Sequence, residues 1–255
     1  MKKIAVVCSG WHYPLHFYEA ISKQILPDGW SMDMFCISHR EPQYSEIEKK
    51  DVVLKGDRKH LDEKLYSKIA TIEEIENLGW TYKEYPNTVG DWGCSNQWLE
   101  EYDYKNYELM LFTHDDNLIL KDDWFKRVIE NELFDKWEIW TNSVGAPIGM
   151  LRGSCEFFKK SMIEKIGGKF DLSMVKLTRV GEKFGNRDVH QVSDWNNTVY
   201  PLMSFINKNR INVLQGSPYY RVSEFCVEGE RGYISGTQNS NIDSENRGLK
   251  NFNLI

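Results

Sequence analysis

The chain has 255 residues, 41% of them hydrophobic, and sets 32 lysines and arginines against 38 aspartates and glutamates, for a net charge of -6. That length and apolar fraction supply one large domain with a full core. The acid excess excludes the basic stripe that neutralises a nucleic-acid backbone, so no nucleic acid is expected as a partner. The five cysteines, Cys8, Cys36, Cys94, Cys155 and Cys226, are odd in number and without CxxC spacing. This argues against a disulfide framework and a zinc site, and for reduced thiols in a cytoplasmic protein. The apolar stretch Ile4 to Cys8 is too short for a signal segment, and no apolar run reaches about 18 residues, so no transmembrane segment is expected.

In chain order, Lys3 to Cys8 is a β-branched run closed by Ser9-Gly10, and His16 to Leu26 reads as an amphipathic helix stopped by Pro27-Asp28-Gly29. Met32 to Ser38 is a second strand, completing the β-α-β opening that builds a parallel sheet. The charged stretch from Arg40 to about Lys68 lacks periodicity and reads as solvated loop or surface helix, with a mobile flap as its functional alternative. Thr71-Ile72-Glu73-Glu74 has the form of a capping box, Ile72, Ile75 and Leu78 give one apolar face, and Gly79 ends the helix. Trp80 to Tyr85 alternates as a short strand. Pro86 to Asn96 is dense in Asn, Gly, Asp and Ser, which is loop chemistry, and Gln97-Trp98-Leu99 opens a helix.

The run Leu109-Met110-Leu111-Phe112-Thr113-His114-Asp115-Asp116-Asn117 is the most informative in the chain: an apolar stretch of strand length ends in two adjacent carboxylates. Ligands of α/β sheets collect at the carboxyl ends of strands, and two hard oxygen donors placed there suit a divalent cation and the phosphates it carries. Asp122 and Asp123 then stand at a helix N-terminus, with Trp124, Phe125, Val128, Ile129 and Leu133 at helical spacing. Glu138 to Thr141 is a strand candidate, Ser143 to Pro147 a loop, and Ile148 to Leu151 a possible strand. Glu156 to Ile166 is expected as a helix closed by Gly167-Gly168. A helix near Trp195 to Ile206 and a strand near Arg210 to Leu214 follow. With no repeat and no linker, one domain over residues 1–228 is expected, and the Asn-, Ser- and Gly-rich tail 229–255 is expected to be ordered only in part.

The order Pro86-Asn87-Thr88-Val89-Gly90, Asn96, His114-Asp115-Asp116, Arg152-Gly153-Ser154, Phe157-Phe158-Lys159-Lys160 and Ile166-Gly167-Gly168-Lys169-Phe170-Asp171 resembles a GT-A glycosyltransferase of the family-2 type. The resemblance implies an α/β, Rossmann-like, mostly parallel sheet flanked by helices. It implies transfer of a sugar from a nucleotide-diphosphate sugar donor to a glycan, lipid-linked or protein acceptor, with Mn²⁺ or Mg²⁺ as cofactor. Asp116 is then the first choice of metal ligand, with Asp115 on ribose or metal; the structural alternative for both is to cap the turn before Asp122. His114 stands where the family has its first aspartate, and as a softer ligand it favours Mn²⁺ or positions phosphate by a hydrogen bond. Ser9-Gly10, at the end of strand one, occupies the place of the family's nucleotide contacts. Asp91 and Asn96 are candidates for base or ribose, and Trp92 for a stacking platform or the core. Arg152 and Lys160 could offset diphosphate charge. An inverting transferase needs a base on the acceptor hydroxyl. The family's Glu-Asp pair is absent, and Asp194, beside Trp195, or Asp188 takes that role; a helix N-cap is the structural alternative for Asp194. Two other functions share the scaffold, a nucleotidyltransferase and a non-catalytic carbohydrate-binding protein. Against the first stands Ser9-Gly10-Trp11-His12-Tyr13-Pro14, which offers no cation after strand one.

Overall fold

Lys2–Gly10 forms β1, whose centre, Ile4 to Cys8, is buried on both faces, as an interior strand of a parallel sheet requires. The computed structural model describes residues 1–10, 13–38, 67–85, 91–115, 117, 119, 121–141, 155–173, 182–184, 187–189 and 195–215. Helix α1 (Leu15–Ser22) leads to β2 (Trp30–Ser38), α2 (Ile72–Asn77) to β3 (Trp80–Glu84), and α3 (Asp91–Glu101) to β4 (Leu109–His114). After α4 (Trp124–Ile129) come β5 (Ile139–Thr141), β6 (Cys155–Lys159) and α5 (Lys160–Lys165). The hairpin β7 (Glu182–Phe184) and β8 (Arg187–Val189), helix α6 (Trp195–Asn209) and strand β9 (Val213–Gln215) complete the order.

One seven-stranded sheet runs β3-β2-β1-β4-β6-β5-β9, and β7-β8 forms a separate pair. Every neighbouring pair in the large sheet is parallel except those made by β6, which runs against both β4 and β5. The fold is therefore the expected α/β class, a mostly parallel sheet with helices on both faces. On one face Phe17, Tyr18 and Ile21 of α1, Ile75 of α2 and Trp124, Phe125 and Val128 of α4 pack on Val6, Leu111 and Phe157. On the other, Trp92, Trp98 and Leu99 of α3, Met162 and Ile163 of α5 and Ile206 of α6 pack on Val7, Phe112 and Phe158.

Three elements differ from the sequence expectation. Helix α3 begins at Asp91, inside the segment read as loop, because Trp92, Ser95, Trp98 and Leu99 bury one stripe of it. That burial outweighs the cost of about 1 kcal/mol for Gly93 in a helix interior. Residues 155–159 are strand, where 156–159 is expected as the start of a helix: Phe157 and Phe158 point to opposite cores, the period of two that only a strand provides. The helix then spans only Lys160–Lys165, closed as expected by Gly167 and Gly168, both at φ 80°. Helix α1 stops at Ser22 and not Leu26, since Gln24 bonds Lys121 O and Phe125 N with its side chain, and the Ile25 amide donates to Asp122 O. The expected flap, the loop at 143–147, the strand at 148–151 and the tail lie outside the described residues. No helix among the described residues is long and apolar enough to cross a membrane.

Candidate functional site

The carboxyl ends of the parallel strands converge on one edge. Gly10 of β1 pairs with Ser38 of β2, Ser38 with Glu84 of β3, and Ser9 with His114 of β4. Because β6 is reversed, its first residues reach the same edge: Thr113 pairs with Cys155, and Glu156 with Thr141 at the end of β5. Burial shows what is unusual there. Of the eight buried polar or charged residues among those described, Ser38, Thr113, Asp115, Asn117, Thr141 and Glu156 lie at this edge, leaving only Gln24 and Ser95 elsewhere. Buried polar groups cost stability unless satisfied, so their concentration at one end of the sheet makes that end the candidate site.

The turn after β4 is held by its own side chains. Asn117 Nδ2 donates to Thr113 Oγ1 at 3.1 Å and to the His114 carbonyl at 2.9 Å, closing the chain over Asp115. His114 is half-buried at the strand end, while Asp115 is 1% exposed and its Oδ2 accepts the Tyr13 amide at 2.8 Å and the Tyr18 hydroxyl at 3.3 Å. Tyr18 also contacts Cys36 Sγ at 3.3 Å. Burial pushes the Tyr13 and Tyr18 phenols and the Cys8 and Cys36 thiols well up, and the charge of Asp115 adds to the rise at Cys8. A chain of hydroxyls crosses the ends of the first three strands: Tyr13 OH bonds Ser38 Oγ and meets Tyr82 OH at 3.1 Å, and Tyr82 donates to Glu84 Oε2 at 3.0 Å.

Ser9, Gly10, His114 and Asp115 are thus brought together. Gly10 is required by packing: a Cβ there would lie 2.5 Å from Cys36 Sγ, 3.0 Å from the Tyr13 ring and 3.2 Å from Tyr18 OH. Asp91 starts α3 and Asp188 sits in β8, with side chains outside the described set; Asp116, Arg152 and Asp194 lie outside it altogether. Asn96 has both amide functions on Phe170, accepting its N–H at 2.8 Å and donating to its carbonyl at 2.9 Å. It fastens α3 to the segment after α5. Trp92 is a core residue, 3% exposed, with its ring 4.1 Å from that of Phe170. Lys160 is a correction: β6 carries it to the end of β4 opposite the carboxyl edge, where it pairs with Glu108 at 2.9 Å. Sequence reading missed Glu156, which is wholly buried with Oε2 accepting the Cys155 amide at 3.1 Å, and Thr141 opposite it. Reading β6 as helix hid both.

Among the described residues no group of three His, Cys, Asp or Glu side chains could by itself hold a metal ion. A divalent ion that arrives with a diphosphate needs only one or two protein ligands, its remaining positions filled by phosphate oxygens and water. Of the residues expected at that ion, the structure describes His114, at the strand end, and Asp115, whose carboxylate is turned onto Tyr13 and Tyr18.

No family model and no curated protein matches the chain. Several solved structures are similar to it. TarS of S. aureus is 13% identical over 68% of this chain and 31% of its own, with a TM-score of 0.44. The mannosyltransferase PcManGT of Pyrobaculum calidifontis, in complex with GDP-Man and Mn²⁺, is 13% identical over 91% of this chain and 58% of its own, with a TM-score of 0.47. The catalytic domain of Drosophila beta1,4galactosyltransferase 7, in complex with xylobiose, is 9% identical over 99% of this chain and 83% of its own, with a TM-score of 0.44. The chain thus spans under two thirds of the length of the first two.

Proposed function

We propose that the chain is a GT-A-type glycosyltransferase that moves a sugar from a nucleotide-diphosphate sugar to a glycan, lipid-linked or protein acceptor. The observation that carries this reading is the gathering of buried polar side chains at the carboxyl edge of the sheet, around the turn that holds His114 and Asp115. Asp116, with His114, would hold Mn²⁺ or Mg²⁺. When bound, that ion offsets the charge that grows on the departing diphosphate. Ser9 and Gly10 would contact the nucleotide from the end of β1, with Asp91 and Arg152 as further donor contacts. Asp194, or Asp188, would take the proton from the acceptor hydroxyl.

Thermal-shift measurements with Mn²⁺ and a nucleotide panel test this. UDP or GDP should raise Tm only when metal is present, by the linkage between binding and stability. Stabilisation by nucleoside triphosphates instead would make the protein a nucleotidyltransferase, and no response to any nucleotide would leave a carbohydrate-binding role. Asp116→Ala should abolish the metal-dependent shift; if it persists, the ligand assignment is wrong.

A further inference from the structure

Asp115 lies almost wholly inside the protein, and its Oδ2 is engaged by Tyr13, 102 positions earlier in the chain, and by Tyr18. Tyr13 has φ 55°, and Arg210 is the only other described non-glycine residue with positive φ. A bulky residue in the left-handed region is strained and persists only where its surroundings hold it. The surroundings of Tyr13 do so from several directions. Its amide donates to Asp115, its carbonyl accepts from Ala70 N at 2.7 Å, and its phenol joins Ser38 and Tyr82. The next two residues are tied as well: Pro14 bridges Ile69, and Leu15 N donates to Lys68 O at 2.9 Å. One carboxylate at the end of β4 thus grips the entry to α1, close to where β1 ends at Gly10.

We propose that Asp115 is a positioning residue and neither a metal nor a ribose ligand. Its buried carboxylate pins Tyr13 in the left-handed conformation and so fixes the end of β1, with Ser9 and Gly10, against β4. His114 and Asp116 are left to the metal and diphosphate. The pinning rests on the hydrogen bonds alone; what is positioned rests on the glycosyltransferase reading.

The test compares Asp115→Asn with Asp115→Ala in the full chain. Asparagine keeps an oxygen of the same reach that accepts the Tyr13 amide but, being neutral, is a much weaker ligand for a divalent cation than a carboxylate. Two quantities are read: hydrogen exchange of the fragment containing Tyr13, and the affinity for UDP and GDP with Mn²⁺. Losing the acceptor in Asp115→Ala should speed exchange in that fragment by about tenfold or more and weaken nucleotide binding by about tenfold, the scale of one buried hydrogen bond left unmade. Asp115→Asn should restore wild-type protection and most of the affinity. The proposal is overturned if asparagine protects the Tyr13 amide yet binds metal and nucleotide as poorly as alanine, which is the signature of a ligand. It is also overturned if alanine leaves exchange unchanged. Should Asp115→Ala fail to fold, the asparagine variant decides on both readouts. If the wild type itself binds no nucleotide with metal, the glycosyltransferase reading fails, and exchange alone still decides whether Asp115 pins Tyr13.

Discussion

Gly10 shows how one residue serves the geometry of the edge without touching a ligand. Its missing Cβ leaves room for Cys36 Sγ, the Tyr13 ring and the Tyr18 hydroxyl, the groups that surround the Asp115 contacts. Gly10→Ala should therefore destabilise the protein by about 1–3 kcal/mol, the usual cost of overpacking a tight interior. The closest atom is the Cys36 sulfur, so Cys36→Ala in the same chain should recover part of the loss, while Tyr13 and Tyr18 keep it from being complete. Urea midpoints of the two single variants and the double variant would show this as a favourable coupling. Strictly additive losses would mean that the clash lies elsewhere. The sequence supplied the position of Gly10 at a strand end but not this reason for it, because the neighbours come from β2, α1 and the segment just before α1.

Among the elements, those bounded by unambiguous punctuation were legible from sequence. The apolar runs of β1, β2 and β4 end where expected within a residue or two, and Thr71 and Glu74 form the reciprocal capping box that their spacing announced. The failures have a common cause, which is that tertiary burial overrode local preference. Gly93 and Asn96 read as loop, yet α3 runs through them because its aromatic stripe is covered; Phe157-Phe158-Lys159-Lys160 fits either period until the two faces of the sheet are known. Asn96 joins these two regions by gripping both backbone groups of Phe170, whose ring packs on Trp92, Phe112 and Phe158. Asn96→Ala should cost about 1–3 kcal/mol, because the backbone groups of Phe170 lose partners in a part-buried place. Denaturation by urea would measure it, and limited proteolysis should cut first in the segment after α5. A variant as stable as the wild type would show that the aromatic packing of Phe170 suffices.

At the scale of the whole molecule, the edge where the buried polar groups gather was legible and their arrangement within it was not. An apolar strand ending in His114-Asp115-Asp116, after a β-α-β opening, pointed to the carboxyl edge as the candidate site. That Asp115 turns inward depends on Tyr13, and which other polar groups join the edge depends on the reversal of β6. The same buried polar groups give the fold a pH dependence. The ordinary values of a thiol and a phenol are 9.0 and 10.0, and burial raises those of Cys8, Cys36, Tyr13 and Tyr18 in the folded protein. Below pH about 9 both states keep these protons and no stability is lost through them. Above it the unfolded chain releases protons that the folded chain retains, so the unfolded state is favoured, by up to about 1.4 kcal/mol per pH unit for each group withheld. Urea midpoints followed from pH 7 to 11 should hold level, begin to fall near pH 9 as the unfolded thiols ionise, and fall more steeply past pH 10 as the phenols join them. Cys36→Ala should soften the first part of that fall and leave the second. Midpoints that stay level to pH 11 would mean that these groups ionise in the folded protein as readily as in the unfolded chain, and that the interior around Asp115 is open to water.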